Sequence, residues 1–123
     1  MKLYLDDERE APEGWIRTKT PGETIATLKT KAVRELSLDH DLGDDDGIGT
    51  GYDVLLWIER EVVNEGFDPP KIHIHTANPS ARSKMLQAVS SIESWDLKNR
   101  LGERLVFLEK AWKVSFDAIL GVT

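Results

Sequence analysis

Short apolar runs that break abruptly into polar residues recur along this chain. Leu3-Tyr4-Leu5 runs into Asp6-Asp7-Glu8-Arg9, and Leu36-Ser37-Leu38 runs into Asp39-His40-Asp41-Leu42-Gly43. Ile72-His73-Ile74 gives way to His75-Thr76-Ala77-Asn78-Pro79, and Leu105-Val106-Phe107-Leu108 to Glu109-Lys110. Runs this short and this apolar predict strands buried in a parallel sheet. Trp15 to Thr18 reads as a further short strand.

Helical spacing fills the intervals. Thr20-Pro21-Gly22-Glu23 is a helix start, with Thr20 as N-cap, Pro21 at the first helical position and Glu23 reaching back as in a capping box. That helix is predicted to run to about Lys31, with Ile25 and Leu28 facing inward. Val54, Leu55, Ile58 and Val62 predict a helix from Tyr52 to about Asn64, closed by Gly66. Met85, Val89 and Ile92 predict another from Ser80 to about Ser94. Residues 95–103 read as a polar linker, 105–109 as a fifth strand, and Trp112 to Leu120 as a closing helix. The alternation predicts one α/β domain over residues 1–123, a parallel sheet with helices on both faces. The loop from Asp7 to Gly14 is too short for the usual helical crossover, so either a helix is missing there or the second strand pairs antiparallel. The stretch from Asp41 to Gly51, with Gly43, Gly47, Gly49 and Gly51, is too glycine-rich for regular structure.

Composition narrows the class. The 123 residues carry 16 Lys plus Arg against 22 Asp plus Glu, a net charge of −6. That balance opposes broad binding to nucleic-acid backbones or an extended duplex, while leaving room for one terminal phosphate. Cysteine is absent, which removes disulfide and thiol chemistry. No apolar run approaches a membrane span, and the acidic N-terminal stretch is unlike a signal peptide, so a cytoplasmic protein is expected.

Ligands in open α/β sheets bind beyond the C-terminal ends of the strands. Asp6, Asp7 and Asp39 gather there, with Asp41 beside them, and their mutual repulsion favours a divalent cation; all-oxygen ligands suit Mg²⁺ or Mn²⁺. A calcium loop of the EF-hand type fails, because its last liganding position falls at Thr50 where a Glu is needed. Asp44-Asp45-Asp46 reads as a solvated turn. His75 and His40 are candidate proton carriers, whereas His73, deeper in its strand, reads as structural. A two-histidine phosphodiesterase needs two separate His-x-Thr motifs, which this chain lacks. Asn78, Arg82 and Lys84, at the start of the next helix, are candidates to hold a second phosphate or a ribose. The four tryptophans read as packing residues.

The order of these elements resembles the receiver domain of response regulators. The resemblance pairs Asp6 and Asp7 with that family's acidic pair, Asp39 with its phosphoacceptor, Thr76 with its switch residue and Lys110 with its strand-end lysine. It implies a flavodoxin-like sheet of about five mainly parallel strands. Gly43 and Ala111 stand where receivers usually have proline, and the three histidines have no counterpart. Asp-Asp-Glu-Arg, Asp-His-Asp-Leu-Gly, Thr-Gly-Tyr-Asp and His-Thr-Ala-Asn-Pro more closely resemble a receiver-like offshoot, the cyclic-phosphate-processing receiver domain of bacteria and their phages. That resemblance implies metal-dependent phosphoester chemistry on a cyclic phosphate end of RNA or a nucleotide. Asp39 or a metal-bound water would be the nucleophile, His75 or His40 the acid/base, and Thr76 with Lys110 the charge stabilisers. The alternative is a stand-alone receiver, phosphorylated on Asp39, that signals to a protein partner.

Overall fold

The computed structural model describes residues 1–42 and 47–120, without the side chains of 114–120. The Asp44–Asp46 turn, and Gly43 with it, fall outside the described residues. The elements are β1 (Lys2–Leu5), β2 (Trp15–Thr18), α1 (Pro21–Leu28), β3 (Glu35–Leu38), α2 (Gly51–Glu65), β4 (Lys71–Ile74) and α3 (Pro79–Leu120). The four strands form one sheet in the order β2-β1-β3-β4, every pair parallel. This is the expected receiver-like α/β fold, with one strand fewer.

The helix starts follow the local chemistry. Thr20 Oγ1 accepts the Glu23 N–H at 3.1 Å and Pro21 opens α1, although among the described residues Glu23 makes no return bond. At α2 the Asp53 carboxylate accepts the Thr50 N–H at 2.8 Å, and Gly66 closes the helix in the left-handed conformation at φ 65°. That conformation costs glycine little.

The direction of β2 is settled by length. Its register with β1 is parallel, Lys2 opposite Trp15 and Leu5 opposite Thr18. A four-residue strand is about 13 Å long, and the connecting residues can reach about 30 Å when extended. An extended return therefore replaces the helix. Arg17 Nε, donating to the Asp6 carbonyl at 2.9 Å, ties the return to β2.

That missing helix decides which face is covered. The crossovers from β2 to β3 and from β3 to β4 move in the same direction across the sheet, so right-handed connections put their helices on one side. Leu3, Leu5, Leu36 and Leu38, all fully buried, meet Leu28 of α1, Val54, Leu55, Ile58 and Val62 of α2, and Met85, Val89 and Ile92 of α3 in a single core. The opposite face carries Lys2, Tyr4, Trp15, Arg17, Glu35 and His73, none of them buried. Helices on both faces were expected; the described helices share one.

The predicted linker, fifth strand and closing helix are one continuous helix. α3 runs for 42 residues, and 105–109 lies inside it. Leu97 and Leu101 are four apart, as are Asp96 and Arg100, whose carboxylate and guanidinium meet at 3.0 Å. Such pairs favour helix, and no proline interrupts the segment after Pro79. Four contiguous apolar residues at 105–108 do not by themselves separate strand from helix. Asn99 Nδ2 to the Val62 carbonyl at 2.9 Å and Arg100 to Asp68 at 2.7 Å fasten the helix to the body.

Candidate active site at the strand ends

Parallel strands in register deliver the residues after their ends as a row. Leu5, Leu38 and Ile74 lie at one level of the sheet. The ladder continues one step further, with Asp39 N–H donating to the Leu5 carbonyl and His75 N–H to the Leu38 carbonyl, both at 3.0 Å. Asp6, Asp39 and His75 are therefore neighbours, and alternation sends all three side chains to the face that carries Tyr4, Ser37 and His73. One ligand atom from each of the three lies within 4.8 Å of the others.

Asp6 is the fixed point. It is only 1% exposed. Its Oδ1 accepts the N–H of Glu8 at 2.9 Å and of Arg9 at 2.8 Å, and its Oδ2 meets His75 Nε2 at 3.2 Å. Burial pushes its pKa up, but the two backbone N–H groups and His75 outweigh it, and the carboxyl sits below its ordinary value. Asp39 goes the other way. Burial raises its pKa, and the Asp6 charge adds to this against the His40 N–H, which donates to Asp39 Oδ1 at 2.8 Å. Two adjacent carboxylates thus hold protons with unequal strength, as like charges at close range require.

His75 is oriented from three directions. Its Nδ1 lies 2.7 Å from Ser37 Oγ, its Nε2 meets Asp6, and its ring stacks on Tyr4 at 4.2 Å and 3°. Burial lowers its pKa despite the two carboxylates nearby. The neutral ring satisfies both contacts, Nε2–H donating to Asp6 and Nδ1 accepting from the Ser37 hydroxyl. The histidine proton is expected to leave below the ordinary ~6.5, as read from the ring resonances in an NMR titration. Because its folded pKa is depressed, His75 takes stability away from the fold as pH falls below that ordinary value. A titration above it would instead mean an imidazolium paired with Asp6.

A crevice of about 270 Å³ opens here, lined by Asp6, Glu8, Arg9, Asp39, Asp41, His75 and Ala77. His40 stands beside it, its Nδ1 on Asp41 Oδ1 at 2.8 Å. The other candidates are engaged differently. Asp7 is absent from the crevice lining. Thr76 is buried, and its Oγ1 accepts the Asn78 N–H at 3.2 Å. Asn78 Oδ1 accepts the Ala81 N–H at 3.2 Å, which makes Asn78 the N-cap of α3. Arg82 donates to the Ile74 carbonyl at 2.9 Å, and Lys84 Nζ lies 3.9 Å from the centre of the Tyr52 ring.

Lys110 does not end a strand at this crevice. It lies in α3, exposed, about 47 Å along the axis from Pro79 at the ordinary helical rise. The crevice cation is instead Arg9, which sequence reasoning passed over together with Glu8 and Ser37. A serine between two leucines in a buried strand, two residues before Asp39, was the available signal for Ser37: only a polar partner on the same face justifies it.

A parallel α/β sheet with carboxylates in a row beyond its strand ends fits a receiver-like domain. Residues 1–91 match the family model of the cyclic-phosphate processing receiver domain, and the chain belongs to that family. No curated protein and no solved structure matches it. The matched region contains every residue of the crevice and ends within α3. No helix among the described residues is long and apolar enough to cross a membrane.

Proposed function

We propose that this domain opens a cyclic phosphate at the end of an RNA or nucleotide, with Asp6 and Asp39 as ligands to a divalent cation. The observation that carries the reading is the row Asp6, Asp39 and His75 across three adjacent strand ends. Two oxygen donors in an open crevice fit Mg²⁺, which keeps several waters. An imidazole ligand would suit Mn²⁺ better. Since both nitrogens of His75 already have partners, we assign it to orienting Asp6. When bound, the cation supplies a counter-charge for the phosphate oxygens.

The remaining work falls to side chains of this chain. Ring opening adds water to phosphorus, the water giving up one proton to solvent, and breaks one P–O bond to the ribose, whose oxygen takes up a proton. His40 is our choice for that proton, since its Nε2 makes no hydrogen bond among the described residues. Arg9, in the crevice lining, is assigned to the phosphate charge. The signalling alternative leaned on Lys110 as the lysine that contacts a phosphorylated Asp39, and the position of Lys110 in α3 leaves that task without its residue.

Mg²⁺ is expected to raise the melting temperature of the wild type and to do so much less for Asp39→Asn. The same variant should lose opening of a cyclic-phosphate-terminated oligonucleotide. Equal stabilisation of both proteins would remove the cation from the reading. Labelling of Asp39 by acetyl phosphate, with no hydrolysis by the wild type, would favour the signalling receiver instead.

A further inference from the structure

Asn99 and Arg100 tie α3 to the body, and every residue from Leu101 to Lys113 is exposed. A free helix of this length is marginal in water, and Gly102 weakens it by about 1 kcal/mol relative to alanine. Yet the segment presents large apolar side chains: Leu101 is 51% exposed, Leu105 65% and Leu108 50%.

Their spacing is four and three, which keeps them on one stripe and matches successive d, a and d positions of a heptad. In that register Arg104 falls at g and Glu109 at e of the following heptad. Among the described residues, neither makes an ion pair. In a parallel pair of helices, a g residue faces the e residue five positions on in the partner, so Arg104 of each copy meets Glu109 of the other. An antiparallel pair would bring g against g and set arginine against arginine.

We propose that the distal half of α3 is a self-association surface, and that its occupant is the same segment of a second copy, packed parallel. Two chains then cover one another's leucine stripes and place both strand-end crevices at the same end of the assembly. Val106 and Phe107 fall at b and c and stay outside the contact.

Sedimentation equilibrium on the full chain tests this. The wild type is expected at twice its 13.9 kDa mass. Leu105→Glu combined with Leu108→Glu should return it to a monomer, with the Mg²⁺-free melting of the body unchanged because both positions are exposed. Arg104→Glu should weaken the dimer roughly tenfold, acting at two symmetry-related pairs, and adding Glu109→Arg should restore it. Phe107→Ser should leave it intact. A monomeric wild type at concentrations well above micromolar overturns the proposal. So does a dimer indifferent to the leucine pair, or one that the charge exchange fails to rescue.

Discussion

Asp6→Ala is expected to cost this fold about 2–4 kcal/mol, more than any other change at the crevice, because three groups lose their acceptor at once. The N–H groups of Glu8 and Arg9 both donate to Oδ1, and His75 Nε2 to Oδ2. The two N–H bonds hold the start of the extended return that stands in for a helix between β1 and β2, so their loss loosens the crevice lining as well. Asp6→Asn separates architecture from charge. It keeps an oxygen for the two N–H groups, so denaturant unfolding should show a much smaller loss, while the Mg²⁺-induced shift disappears. The pH dependence has a definite sign. Asp6 has a depressed pKa in the fold, so its stabilisation is present above the ordinary carboxylate value of about 3.9 and fades as pH falls through the folded value. The gap between wild type and Asp6→Ala should therefore narrow on acidification. An Asp6→Asn protein that binds Mg²⁺ as the wild type does would remove Asp6 from the cation site.

The row of Asp6, Asp39 and His75 was legible in the sequence because each follows an apolar run at the same offset, and parallel register converts equal offsets into adjacency. The family was legible on the same residues. What failed lies where a local signal has two physical solutions. Leu105 to Leu108 suits a buried strand or one turn of a helix, and with no proline from Ser80 onward the helix runs through, carrying Lys110 away from the crevice. Asn78-Pro79 reads equally as a phosphate contact or as an N-cap followed by proline at the first helical position, and the hydrogen bond to Ala81 selects the cap. Coverage of one sheet face follows from the short Asp7–Gly14 loop, but its consequence for the helices needs the handedness of the remaining crossovers. Ser37 and Arg9 were hidden for opposite reasons. The first interrupts a buried run by a single residue, and the second sits in a loop whose path depends on hydrogen bonds to Asp6.

Gly51→Ala sets two effects of opposite sign against each other. Gly51 is the first residue of α2, where alanine would ordinarily favour the helix by up to about 1 kcal/mol. It is not a left-handed position, so conformational freedom does not explain the glycine. Close approach does. A Cβ there would lie 1.9 Å from the Asp39 carbonyl oxygen and 3.0 Å from both the Asp39 carbonyl carbon and Met85 Cε. Backbone has no rotamer to yield, so α2 or the end of β3 must move, and overpacking of this kind costs about 1–3 kcal/mol. The clash should win. Because the displaced strand end carries the Asp39 carboxylate, Mg²⁺ affinity should fall along with the unfolding midpoint. Gly66→Ala is the control: a Cβ there meets nothing within 4 Å, and only the positive φ of 65° is strained. It should lower stability modestly and leave Mg²⁺ binding alone. If Gly51→Ala matches the wild type in both measurements, the start of α2 does not brace Asp39, and the carboxylate row is held by the strand ladder alone.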